Sequence, residues 1–231
     1  MNKKNEHVKI YPTIGVCGLD CGLCPRYYTV GTSRCPGCCG PEFFSKHPSC
    51  SFITCCVKKK NLEVCAECSD FPCSKFKSDE EYQQVKESSS YPSYKNLMPN
   101  LNLIKEHGLE TFIGQQKKRI KLLEKMIADF DDGRSRSFYC KSAALLDLTI
   151  LENSLDNAIQ KIKTDNIKPN DIKTKAKILK GIFSRIAINE GVELIKAHHN
   201  HGKCRSSASY SPSGNLSGFD ESRSNLKCGS L

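Results

Sequence analysis

Twelve of the fifteen cysteines lie between Cys17 and Cys73, about one residue in five of that stretch. The same stretch holds five Gly, five Pro and only 14 apolar residues other than Cys. Turn punctuation recurs at Cys24-Pro25, Cys35-Pro36-Gly37, Gly40-Pro41, His47-Pro48 and Phe71-Pro72, and no hydrophobic periodicity runs through it. So few apolar side chains do not offset an ordering entropy of about 1–2 kcal/mol per residue. Bound metal, at an apparent ~10–16 kcal/mol for a structural zinc, is the expected source of order.

The compartment follows from what the chain lacks. No run approaches the roughly 18 apolar residues of a membrane helix, and residues 1–16 carry no apolar signal core. A cytoplasmic protein without a membrane partner is expected. Thiols stay reduced there, so metal is a better reading of dense cysteines than a disulfide scaffold. The formal charge of +10 counts every thiol as neutral. Each divalent ion held by four thiolates adds a net charge of about −2. The basic balance therefore supports a nucleic-acid partner only weakly, and an unknown protein partner is the expected one.

The spacings are Cys17-x3-Cys21-x2-Cys24, Cys35-x2-Cys38-Cys39, Cys50-x4-Cys55-Cys56 and Cys65-x2-Cys68-x4-Cys73. A C-x2-C knuckle lets two thiolates reach one tetrahedral ion from a tight turn, and paired knuckles build four-thiolate sites. The candidate ligands are Cys17, Cys21, Cys24, Cys35, Cys38, Cys50, Cys55, Cys56, Cys65, Cys68 and Cys73. Adjacent pairs such as Cys38-Cys39 and Cys55-Cys56 seldom both ligate one ion, so two full sites with spare thiols are expected. Zinc is the expected metal and a [4Fe–4S] cluster the alternative, since both accept four thiolates. How the knuckles pair into sites stays open. Cys17-x3-Cys21-x2-Cys24 also resembles the cluster motif of radical S-adenosylmethionine enzymes, and Cys21-Gly22-Leu23-Cys24 a thioredoxin-type redox pair. No barrel and no βαβ pattern surrounds either.

Three regions are expected: a metal-stabilised module over 1–78, a helical domain over 79–197 and a disordered tail over 198–231. Asp79-Glu80-Glu81 start a short helix, and Ser88 to Ser93 form a linker. Leu97, Leu101 and Ile104 mark a brief helix with Pro99 in its first turn. Leu109, Phe112, Ile113, Ile120, Leu123, Ile127 and Phe130 recur at helical spacing, and Asp131-Asp132-Gly133 ends that helix. A second long helix is predicted from Ser137 to Lys163. A third carries Ile172, Ala176, Leu179, Ile182, Phe183 and Ile186 after the cap Pro169-Asn170-Asp171. The fold class is therefore an irregular cysteine-rich module followed by an all-α antiparallel bundle.

Cys17-Gly18-Leu19-Asp20-Cys21-Gly22-Leu23-Cys24-Pro25, Cys35-Pro36-Gly37-Cys38 and Cys65-Ala66-Glu67-Cys68-Ser69-Asp70-Phe71-Pro72-Cys73 together resemble the signature of domain-of-unknown-function family 3795. Lys58-Lys59-Lys60, Tyr91-Pro92, Gly108-Leu109-Glu110 and Asp132 to Cys140 continue the likeness, which covers about residues 14–195. The resemblance implies a small prokaryotic, cysteine-rich, metal-binding protein. It implies no activity.

Other candidates have plainer readings. His198, His199, His201 and Cys204 form a possible soft-metal set, but lie in the expected tail. His47 could stand in for a thiolate near Cys50, and a loop residue is the simpler reading. Asp129, Asp131 and Asp132 lack the spacing and closing Glu of a calcium loop. The lysines at 117, 118 and 121 and at 173, 175, 177 and 180 read as solvated helix faces. Tyr27-Tyr28 and Phe43-Phe44 read as cover for a sparse core. No paired carboxylates, Ser/His/Asp set or phosphate-cradling Gly loop is visible, so no enzyme activity is assigned.

Overall fold

Helices form where apolar and charged positions alternate at helical spacing, and turns form where Gly, Pro and Cys crowd together. The computed structural model describes residues 8–47, 50–76 and 95–194. Among these residues are seven helices and no strand. In the cysteine-rich segment, α1 (Phe43–Lys46) and α2 (Ser51–Ile53) are single turns, and α2 runs into a π-helical turn over Thr54–Lys59. Short 3₁₀ turns cover Cys21–Leu23, Pro25–Tyr28, Cys65–Glu67 and Ser74–Phe76. The long helices are α3 (Leu97–His107), α4 (Leu109–Phe130), α5 (Arg136–Leu145), α6 (Leu148–Thr164) and α7 (Ile172–Asn189). The chain is thus mostly helical behind a cysteine-rich start. No helix among the described residues is long and apolar enough to cross a membrane.

The helix boundaries follow local chemistry. Gly108, at φ +85°, is the joint between α3 and α4, a conformation that a Cβ would oppose. Pro99 lies in the first turn of α3, where its missing N–H costs no helical bond. Asp131 Oδ1 accepts from Gly133 N at 3.1 Å and Ser135 N at 3.2 Å, which turns the chain out of α4 and into α5. The single helix predicted from Ser137 to Lys163 is instead two. Leu146 is extended, and Asp147 caps α6 by accepting from Thr149 N at 2.8 Å. An Asp followed by Leu and Thr at a helix start is a capping signal that apolar periodicity overrode. At the next loop the predicted cap holds, with Asp171 Oδ1 accepting from Thr174 N at 3.1 Å.

Two apolar cores organise the packing. One gathers Ile14, Val16, Phe43, Ile53, Val57, Val64, Phe71 and Phe76 from the cysteine-rich segment with Leu97, Leu101 and Ile104 of α3 and Phe112 and Ile113 of α4. The other joins Leu123, Met126 and Phe130 of α4 to Tyr139, Leu151, Leu155, Leu179 and Phe183 of the later helices. Helix α4 contributes to both. The apolar surface that the cysteine-rich segment lacks is therefore supplied by α3 and the start of α4, at about 1.5–3 kcal/mol per fully buried large side chain. The described residues belong to one compact unit. The predicted helix start at Asp79-Glu80-Glu81, the Ser88–Ser93 linker and the 198–231 tail with its histidines lie outside the described residues.

Candidate metal centre

Residues 9–16 run between the cysteine turns and hold them by backbone hydrogen bonds. Lys9 N donates to Cys39 O at 3.0 Å, and Pro12 O accepts from Cys38 N at 2.8 Å. Thr13 O accepts from Gly22 N at 2.7 Å, and Val16 O accepts from Cys65 N at 2.8 Å. One turn-containing stretch thereby anchors all three C-x2-C knuckles. The first and third knuckles close as 3₁₀ turns, with Cys24 N donating to Cys21 O and Cys68 N to Cys65 O. In the second, Gly37 has φ +85°, and a Cβ there would collide with the Pro12 carbonyl.

The candidate ligands fall into two neighbouring sets. In the first, Cys17, Cys21 and Cys38 act on one another electrostatically, as do Cys35 on Cys21 and Cys50 on Cys17, while Cys17 also acts on Cys65 and Cys38 on Cys56 of the second. Burial pushes the Cys17 thiol up to about 12 and raises Cys21 well above its ordinary value. The Cys39 thiol hydrogen-bonds to Cys38, and that bond holds Cys38 down and pushes Cys39 up. Cys24 faces Cys35 and is raised by burial. Cys50 is exposed, its sulfur accepting from Ile53 N at 3.4 Å as the cap of α2.

The second set lines one cavity of about 240 Å³ formed by Cys55, Cys56, Cys65, Cys68 and Cys73 with Lys60, Asp70 and Phe71. The π-helical turn brings Cys55 and Cys56 to that wall. Cys56 and Cys65 share a hydrogen bond that holds Cys56 down and pushes Cys65 up. Lys60 Nζ donates to Cys68 Sγ at 2.9 Å and to Asp70 Oδ2 at 2.6 Å. Glu67, inside the C-x2-C turn, does not face the cavity chemistry; its Oε2 accepts from Glu63 N at 2.9 Å and Val64 N at 3.1 Å, capping the turn.

Every described cysteine is a free thiol. Among the described residues, no three His, Cys, Asp or Glu side chains converge tightly enough to hold one ion. The donor set itself is soft and all-sulfur, which fits zinc or an iron–sulfur cluster and suits magnesium or calcium poorly. His47 is not turned to this use, since its ring stacks on Phe43 at 4.9 Å between centroids.

Sequence reading missed three residues that shape this site. Lys9 is only 4% exposed. Its Nζ donates to Ile14 O at 2.6 Å, and its charge acts on Cys21, Cys38, Cys39 and Cys56. A lone lysine eight residues before the first cysteine carries no pattern signal. Asp20, between Cys17 and Cys21, is buried and takes amide hydrogen bonds from α3 and α4. Cys140 of α5 is buried and lies near Cys24, which its isolated place in the sequence does not suggest. Lys60 stood within a recognised motif, yet only the fold shows it on Cys68. The Asp132–Cys140 motif docks on the same segment, with Arg136 donating to Tyr28 O at 3.1 Å.

Residues 13–78 match the model of a family described as Protein of unknown function (DUF3795). The match covers all three knuckles, while Gly108-Leu109-Glu110 and Asp132–Cys140 lie beyond it. Comparison with curated proteins and with solved structures finds no match.

Proposed function

We propose, for a chain whose residues 13–78 carry the DUF3795 domain, that the cysteine-rich segment binds a thiophilic metal and serves as an interaction module. The observation that carries this reading is the gathering of five thiols, Cys55, Cys56, Cys65, Cys68 and Cys73, around one cavity. Zinc is the proposed ion, held through deprotonated sulfurs of the Cys65–Cys68 knuckle together with others of this set. It would fix the loops against α3 and α4 and supply no redox chemistry. Apolar side chains left at the surface of the segment, Ile10 at 75% and Val30 at 85% exposure, support a protein partner. A cytoplasmic setting with reduced thiols suits that reading.

A second reading is an iron–sulfur centre passing electrons to a partner enzyme. The size of the thiol-lined cavity, about 240 Å³, favours it, because a cluster needs more room between its thiolates than one ion does. Elemental analysis of protein purified anaerobically without a metal-binding tag, with its visible spectrum, separates the two. Zinc without colour supports the module. Iron with sulfide and a broad band near ~400 nm supports the cluster. Neither metal, or full metal content after Cys21→Ser and Cys68→Ser, would overturn both.

A further inference from the structure

Tyr27-Tyr28 and Phe43-Phe44 part ways once the chain is folded. Phe43 is buried in one core, Phe44 packs against that core, and Tyr28 packs against the other. Tyr27 packs against neither, so cover for a sparse core does not account for it. What lies on its ring is a cation. The Arg34 guanidinium sits 5.3 Å from the ring centroid, and Arg34 Nε donates to the Tyr27 carbonyl at 2.9 Å. An exposed cation–π pair contributes about 0.5–1 kcal/mol. The two groups are thereby held together at the surface as one stack.

The surroundings are basic. Residues 26–60 hold six Lys and Arg against one Glu. Arg26, Arg34, Lys46 and Lys58 are exposed, and none of the four forms an ion pair among the described residues. Contacts tie them into one surface. Lys46 Nζ donates to Arg34 O at 3.2 Å. Lys46 belongs to α1, whose Phe43 meets Phe44 edge-on at 5.3 Å between centroids. Lys58 Nζ lies 4.7 Å from the centroid of the Phe44 ring. Arg26 precedes Tyr27 in the same 3₁₀ turn, and its carbonyl accepts from Cys35 N at 2.9 Å, which ties that turn to the residue after Arg34. Unpaired cations gathered on one surface repel one another, and an anionic partner relieves that repulsion.

We propose that this face binds a single strand of nucleic acid, with phosphates on Arg26, Lys46 and Lys58 and a base stacked on the Arg34–Tyr27 pair. Binding of single strands without sequence preference combines a basic track for the backbone with an aromatic ring on which a base stacks. A guanidinium plane serves a base in the same way. An acidic peptide would pair with the cations and leave Tyr27 without a role. A duplex keeps its bases stacked on one another, out of reach of a surface ring. Cations and a ring outside both cores, joined in one face, therefore favour the single strand. The inference goes beyond the metal-module reading and does not rest on it, since none of the contacts that build the face involves a sulfur.

The test uses the full chain as purified and labelled strands of twelve uridines or twelve thymidines, followed by fluorescence anisotropy over a range of salt. Binding is expected, with log affinity falling against log salt by about 0.7 for each phosphate held. Tyr27→Leu should weaken it about fivefold or more at fixed salt, the scale of one stacked base, and leave the salt slope unchanged. Tyr27→Phe, which keeps the ring, should bind as the wild type does. Lys46→Gln with Lys58→Gln should lower the slope by about 1.4, the share of two phosphates. Helical circular dichroism matching the wild type shows that each variant is folded. No binding of either strand at low salt, or wild-type affinity in folded Tyr27→Leu, would overturn the proposal. A labelled peptide of twelve glutamates that binds as tightly as the strands would assign the face to an acidic protein and overturn it too. Metal content enters none of these outcomes, so the metal reading stands or falls separately, on elemental analysis.

Discussion

Gln116 Nε2 donates to Asp20 Oδ1 at 3.1 Å across 96 positions of sequence, inside the protein. The other carboxylate oxygen accepts from Asn100 Nδ2 at 3.0 Å and Asn96 Nδ2 at 3.4 Å. Three amides from α3, its N-terminal cap and α4 therefore converge on one side chain between Cys17 and Cys21. Each amide also bonds the backbone, Gln116 to Thr13 O, Asn100 to Gly18 O and Asn96 to Ala144 O. Burial raises the Asp20 pKa and the amides oppose that rise. Asp20 is thus the polar rivet between the cysteine loops and the helices.

Asp20→Ala should destabilise the chain by about 1–3 kcal/mol, because it strips an acceptor from buried donors without replacing it. Urea denaturation followed by helical circular dichroism measures the loss. A midpoint unchanged from wild type would mean that the three amides find other acceptors.

Gly37→Ala should lower metal content more than it lowers helicity. The added Cβ meets the Pro12 carbonyl, whose hydrogen bond to Cys38 N sets the second knuckle, and the positive φ opposes any L side chain. Elemental analysis alongside circular dichroism reads both quantities. Full metal content in a folded variant would show that this knuckle takes no part in binding.

Chelation of the loaded protein should expose residues 9–76 to protease while leaving α6 and α7 protected. The core around Leu151, Leu155, Leu179 and Phe183 contains none of the proposed ligands. Limited proteolysis with fragment masses checks this. An identical cleavage pattern before and after chelation would show that α3 and α4 alone keep the cysteine loops in place.

Asp147→Ala should cost about 1 kcal/mol through loss of the α6 cap. The backbone N–H of Thr149 holds the Asp147 carboxyl below its ordinary range. A lowered carboxylate pKa contributes stability that is present above the unfolded value and lost as pH falls through the folded one. The difference between wild type and variant should therefore be full near pH 6 and shrink below about pH 4. A difference that stays constant down to pH 3 would assign the effect to something other than the charged cap.

Cysteine spacing fixed where the knuckles lie, and Gly and Pro at their flanks made them turns whatever the rest of the chain does. Helical periodicity likewise placed α3, α4 and α7, since a 3.6-residue repeat of apolar side chains has no other way to be buried. The long helix drawn through Asp147 failed because a cap is a local hydrogen bond, invisible to a periodicity that continues on both sides of it. Only the tertiary structure decided which thiols are neighbours. Cys56 interacts with Cys65, and Cys17 and Cys38 act on each other electrostatically, because residues 9–16 and helices α3 and α4 bring distant turns together. Contacts of that range are set by the packing of a shared core, and no spacing within a single turn encodes them. Lys9 shows the limit most clearly. Its identity is one letter in the sequence, and its burial with Nζ on Ile14 O exists only once the chain has closed around it.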